Sequence, residues 1–260
     1  MIFRKWLTHS IYNVRDINNL ETILLHRHLI EKNPFLKLIY EEWYTIVSDA
    51  IPNFDGPVLE LGSGAGFMKK FVPNLITSDV FHHPFVYITV NGCQLPFSDK
   101  SLRAIVMTDV LHHIPCCKSF FSEATRCVKP KGVVIMIEPW VTKWSRFVYS
   151  TFHHEPFLPD TKEWEFSSND SFKSANGALP WIIFERDRIC FELEFPEWQI
   201  ETIRLIMPFR YLISGGLSFR CLMPAQTYVL WKLIETALKP WTKHLAMFAH
   251  ITLRRRDTGK

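Results

Sequence analysis

Short, nearly unbroken apolar runs alternate along this chain with stretches whose apolar residues recur every three or four positions. The runs at 57–61, 75–79, 86–90, 104–109 and 133–137 read as strands, and two more follow at 198–207 and 246–253. Runs without polar alternation suit strands buried on both faces of a parallel sheet. Helical spacing fills 20–30, 119–128, 180–195 and 225–238. It also fills the stretch after Pro34, where Leu36, Tyr40, Trp43, Val47 and Ala50 share one face. There Asn33 offers a cap, Pro34 suits the first helical position, and Pro52 ends the element. Such a helix would either cover the sheet edge or close over a ligand; its pattern does not choose. Residues 65–72 can start a further helix directly after the first strand.

The alternation breaks at 140–184, which holds 11 of the 37 aromatic residues. That enrichment predicts an insertion packed around something flat or apolar. A second apolar stretch, 205–224, contains Gly215-Gly216, with Arg210 and Arg220 as its charges. It is too short and too charged to span a bilayer, and reads as a buried connection or a hinged cover whose arginines face an anionic acceptor group. The two stretches follow different strands and need not meet. Residues 1–19 could dock through Phe3, Trp6 and Tyr12, and Arg254-Arg255-Arg256 reads as a solvated tail. The formal net charge of +4 leaves only a weak electrostatic footprint for nucleic acid. The six cysteines form no CxxC pair, so free thiols in a reducing cytosol are expected. With no apolar run of membrane-spanning length and no signal-peptide core at the start, a cytoplasmic protein is expected, with at most peripheral membrane contact.

The first strand ends in Glu60-Leu61-Gly62-Ser63-Gly64-Ala65-Gly66. Three glycines at alternate positions let backbone N–H groups approach a ligand where a Cβ would obstruct it. Taken alone this is an ordinary tight turn as easily as a binding loop.

Further stretches make it specific: Asp79 at the end of the second strand, Leu95-Pro96-Phe97, Asp109-Val110-Leu111-His112-His113, and Lys129-Pro130-Lys131-Gly132 before the fifth strand. Together these resemble the signatures of the class I S-adenosylmethionine (SAM) dependent methyltransferases, closely over about 57–140. A nicotinamide dinucleotide fold would want a glycine at Phe67 and has no use for the later stretches. The resemblance implies a Rossmann-like, doubly wound α/β fold with a seven-stranded, mostly parallel sheet. Residues 1–52 would be a helical N-terminal extension and 53–260 the methyltransferase domain, with 140–197 and 205–224 on the substrate side.

The resemblance also implies roles. Gly62, Ser63, Gly64 and Gly66 would face the methionine part of SAM, and Glu60 its amino group. Asp79 would accept both ribose hydroxyls, a task that suits two acceptor oxygens. Asn91 stands where the family often has an acid near adenine, with Gly92 beside it, and Asp109 joins the cofactor set. Lys131 replaces a turn glycine.

The activated methyl group needs mainly an aligned nucleophile and an excluded solvent. For a hydroxyl acceptor a base would help, and His112, His113, His153, His154 and Glu155 follow strands on the binding edge. His82-His83 forms a third doublet there. Each is as readily a hydrogen-bonded structural side chain, and no metal is expected, because adjacent histidines point apart. The leading acceptor is a small or lipid-linked molecule; RNA and a non-catalytic SAM-binding role are the alternatives.

Overall fold

The computed structural model describes residues 20–153, 155–166 and 175–257. His154 and the aromatic segment around Phe3, Trp6 and Tyr12 lie outside the described residues. Seven strands form one sheet: β1 (Val58–Leu61), β2 (Leu75–Asp79), β3 (Ile88–Thr89), β4 (Leu102–Thr108), β5 (Val128–Pro139), β6 (Trp198–Ile206) and β7 (Phe248–Arg255). Their spatial order is β3-β2-β1-β4-β5-β7-β6. The β3, β2, β1, β4 and β5 neighbours pair in parallel, whereas β7 runs antiparallel to both β5 and β6. The doubly wound, mostly parallel seven-stranded sheet that the resemblance implies is therefore present. Because β1, β2, β4 and β5 point the same way, Glu60, Asp79, Asp109 and Glu138 all reach one edge of it.

Helix α1 (Leu20–Lys32) leads into α2 (Pro34–Ala50). Asn33 caps α2 by accepting a hydrogen bond from the Leu36 N–H at 3.1 Å, and Pro34 occupies its first turn. Phe35, Leu36, Ile39, Trp43 and Val47 are buried against the sheet core with Val58, Val106, Ile135 and Phe248. Burying such side chains contributes roughly 2 kcal/mol each. Helix α2 thus covers the sheet rather than the ligand edge. On the opposite face α3 (Cys117–Cys127) buries Phe120, Phe121 and Ala124.

Three local expectations change. The helix predicted over 65–72 is only a 3₁₀ turn, Met68–Lys70, because Gly64 and Gly66 hold left-handed backbone just before it. The 180–195 helix is split into α5 (Leu179–Trp181), a π-helical turn over Ile182–Arg186 and α6 (Arg188–Glu194). The arginine tail is solvated only in part: Arg256 is exposed, but Arg254 and Arg255 belong to β7, where Arg254 pairs with Glu201 at 2.8 Å and Arg255 is buried, donating to the Val128 carbonyl. Lys131 holds a φ of +66°, so the turn needs the glycine-like conformation although a lysine supplies it.

Helix α4 (Lys143–Phe152) opens the aromatic insertion, with Thr142 and Ser145 forming a reciprocal cap. The second apolar stretch carries α7 (Arg210–Ile213) and is followed by α8 (Tyr228–Ala237) and α9 (Thr242–Leu245).

Candidate functional site

The glycine loop is fastened to β2 before any ligand is considered. The Ser63 N–H donates to the Ser78 carbonyl at 2.8 Å, and the Ser78 N–H to Ser63 Oγ at 3.0 Å. Ser63 Oγ donates to Glu60 Oε2 at 2.7 Å, and Ser78 Oγ to the Glu60 carbonyl at 2.6 Å. Gly62 sits at φ +65°, and a Cβ there would lie 2.5 Å from Val110 Cγ2, so no side chain fits. Gly64 differs: an added Cβ would meet nothing closer than 4.0 Å. The loop therefore has a filled inner side at Gly62 and open room over Gly64, a cradle suited to a ligand.

Around that cradle stand two carboxylates. Glu60 is buried, and burial, with the nearby Asp79 charge adding to it against the Ser63 hydrogen bond, pushes its carboxyl up to about 8. A cation bound beside it would restore its charge. Asp79 Oδ2 accepts from the Gly64 N–H at 3.2 Å and lies 3.3 Å from His83 Nε2, while Oδ1 accepts from the Val80 N–H at 2.8 Å. The buried His83 of the 82–83 doublet thus braces Asp79. Asn91 and Gly92 lie on the turn after β3, whose Val90 N–H donates to the Asp79 carbonyl. There Asn91 Oδ1 accepts from the Cys93 N–H at 2.9 Å, so this amide also closes its own turn.

The N-terminal extension supplies residues that its helical pattern alone does not reveal. Arg27 of α1 donates to the Ala65 carbonyl at 2.6 Å, and its guanidinium lies 4.5 Å and 4.4 Å from the Phe67 and Phe85 ring centres. Ile23 of the same helix is the side chain nearest the open flank of Gly64. Helix α1, not α2, is the element over the glycine loop.

A second cluster lies after β4 and β5. Glu138, fully buried, accepts from the Val110 and Leu111 N–H groups at 2.9 and 2.7 Å and holds His112 Nδ1 at 2.7 Å. His112 Nε2 lies 3.5 Å from Glu155. His113 Nε2 lies 3.7 Å and His153 Nδ1 3.9 Å from the same carboxylate. The adjacent histidines therefore do not point apart: their rings are 4.2 Å from centre to centre, because Leu111–His113 is a 3₁₀ turn. His112, His113 and Glu155 bring ligand atoms within 4.8 Å of one another, as do Asp109, His112 and Glu138. Burial opposes charge on His112, but Glu138 and Glu155 outweigh it and raise its pKa well above the usual range. Glu155 is held correspondingly low: burial raises it, and His112, His113 and His153 more than offset that.

Asp109 adopts φ +63°, a left-handed conformation at the strand end. Burial, opposed by His112 and assisted by Glu138 and Glu155, pushes its carboxyl up to about 7. Asp109, His112, His153 and Glu155 line a pocket walled by Tyr149, Phe157, Tyr211 and Phe248. Tyr211 belongs to the second apolar stretch and Phe157 to the insertion, so the two segments do meet. Arg210 does not face this pocket. It is buried in a bridge with Glu42 at 2.9 Å and Glu235 at 2.6 Å, which removes its expected role toward an anionic acceptor.

Strand order, glycine cradle and strand-end acids define a class I, SAM-dependent methyltransferase fold. Residues 59–136, which carry the cofactor cradle, match the methyltransferase domain family. Among solved structures, YcgJ of Bacillus subtilis is similar with a TM-score of 0.50 at 13% identity, over 84% of this chain and 100% of that one. Geranyl diphosphate C-methyltransferase of Streptomyces coelicolor A3(2), solved with Mg2+, geranyl diphosphate and S-adenosyl-L-homocysteine, also gives a TM-score of 0.50. It is 12% identical over 85% of this chain and 80% of that one, so the likeness is one of fold. No curated protein matches the chain.

Proposed function

We propose that the chain transfers the SAM methyl group to a hydroxyl oxygen of a small or lipid-linked acceptor, of which only the hydroxyl end enters the narrow cavity of about 20 Å³ between Tyr149, Phe157, Tyr211 and Phe248. The observation that carries this reading is Asp109, a carboxyl tuned to about 7 in an aromatic-walled pocket beside the cofactor edge. Both His112 nitrogens are engaged by carboxylates, so the histidine positions charge while Asp109 takes the proton. Of the histidines weighed as bases, His112 and His113 sit in this cluster, and His154 lies outside the described residues. In the reaction the acceptor O–H proton passes to the Asp109 carboxylate and the oxygen forms a bond to the methyl carbon. The carbon–sulfur bond breaks with its electron pair going to sulfur, leaving S-adenosylhomocysteine.

SAM would lie over Gly62, Ser63, Gly64 and Gly66, with its amino group at Glu60 and its ribose at Asp79. Asn91 and Gly92 would border adenine. RNA as acceptor is disfavoured because Arg254 and Arg255, two of the three terminal arginines, are occupied within the fold. Supplying SAM with small-molecule or lipid extracts, and separately with RNA, tests the acceptor class. Turnover with RNA alone would sink this reading.

The Glu60 assignment has its own test. A carboxyl at about 8 is mostly protonated at neutral pH and must ionise to hold an ammonium group. SAM binding at about pH 7 should therefore release close to one proton, read as a dependence of binding heat on buffer ionisation enthalpy. Glu60→Gln should bind more weakly and release none. Identical proton release by the variant would detach Glu60 from the amino group.

A further inference from the structure

Helix α8 is built inside out. Its buried positions are Tyr228 and Glu235, the latter tied to Arg210 and to the Phe209 and Arg210 N–H groups. The face opposite carries Val229, Leu230, Leu233 and Ala237, at helical spacing. Val229 is 65% exposed, Leu230 57% and Leu233 62%, and Trp241, in the following 3₁₀ turn, is 55% exposed. Leu222 adds a further exposed apolar side chain just before the helix. A surface helix ordinarily turns such residues inward.

The charge around this face has one sign. Between residues 217 and 247 the exposed charged residues are Arg220, Lys232, Lys239 and Lys243, of which Lys232 is paired with Glu42 at 2.9 Å. The one acid in that stretch, Glu235, is buried and paired with Arg210. Another exposed apolar pair, Ile189 and Leu193 of α6, lies among ion pairs instead, Arg188 with Glu192 and Lys118 with Glu194. Leucines and a tryptophan outward on a short helix, flanked by lysines, match the chemistry of an anionic bilayer surface.

We propose that the outward face of α8, with Leu222 and Trp241, docks this protein peripherally on an anionic lipid bilayer. Leu230, Leu233 and Trp241 enter the interfacial layer, while Lys239 and Lys243 meet the headgroup phosphates. Helix α8 is joined through Glu235 to Arg210, whose neighbour Tyr211 lines the acceptor pocket. Docking here sets the pocket wall next to the membrane. The inference deepens the lipid-linked arm of the proposed function and rests on it only for its purpose.

Sedimentation of the full chain with phosphatidylcholine vesicles, with and without phosphatidylglycerol, reads the docking without any turnover. Binding is expected to the anionic vesicles, weakening as salt is raised. Leu230→Ser with Leu233→Ser, and separately Lys239→Glu with Lys243→Glu, should each reduce it by ~10-fold or more with SAM affinity unchanged. No binding at low salt, or equal binding by both double variants, overturns the proposal. So does a dimer in solution that Leu233→Ser converts to monomer while vesicle binding is absent, since a second copy then covers the face. Vesicle binding without methylation of any lipid-linked acceptor would leave the docking standing and sink that acceptor; methylation without vesicle binding would do the reverse.

Discussion

Asp109→Asn should lower methyl-transfer turnover by about 10²-fold or more while SAM affinity stays near that of the wild type. The substitution keeps the size of the side chain and removes its ability to take a proton. The pH profile gives an independent reading. Asp109 must be ionised to act as a base, so turnover should fall tenfold per unit below about pH 7 and level off above it. The groups facing it sharpen the test. His112 lowers its pKa, whereas Glu138 and Glu155 raise it. His112→Ala should therefore move the profile to higher pH, which a purely structural histidine would not do. An Asp109→Asn enzyme with an unchanged rate would return the chemistry to alignment alone.

Arg210→Ala should cost about 3–5 kcal/mol of stability, because it strands the buried Glu235 without its cation and leaves Glu42 with Lys232 alone. Denaturant unfolding of wild type and variant measures this directly. The acid limb of the stability curve carries the same signature. Burial raises the Glu42 pKa, but Arg210, Lys232 and Tyr228 outweigh it and hold it at about 2, below its ordinary 4.5. A depressed carboxylate contributes stability above its unfolded pKa, and that contribution disappears as pH falls from 4.5 toward 2. The variant should lack most of this acid-sensitive part. A variant that unfolds like the wild type but loses affinity for an acceptor would instead make Arg210 a binding residue.

The parts of the site that could be read in advance are those that end strands. Glu60, Asp79 and Asp109 each close an apolar run, so periodicity alone delivers them to one edge of the sheet. The glycines announced their turn for the same local reason. Pairings between distant segments leave no such mark. Arg210 and Glu42 are 168 residues apart, and their bridge converts a presumed acceptor contact into a structural one. Arg27 looks like a solvent-facing charge on a helix until Phe67 and Phe85 are placed around it. Glu138 ended the fifth strand visibly, yet its task of holding two backbone N–H groups and His112 depends on the turn folding back. His154 and the role of residues 1–19 are unaffected by these observations.

The placement of β7 bears on how the chain is made. This strand is the last of the seven to be synthesised, yet it lies between β5 and β6 and is hydrogen-bonded to both. Until it leaves the ribosome, β6 has no neighbour to pair with and β5 offers an open edge. The growing chain must therefore carry two unpaired strand edges through most of the translation of the α7–α9 region. Chaperone dependence during synthesis should be concentrated in that interval, and the cofactor half, complete by β5, is the part able to assemble ahead of it.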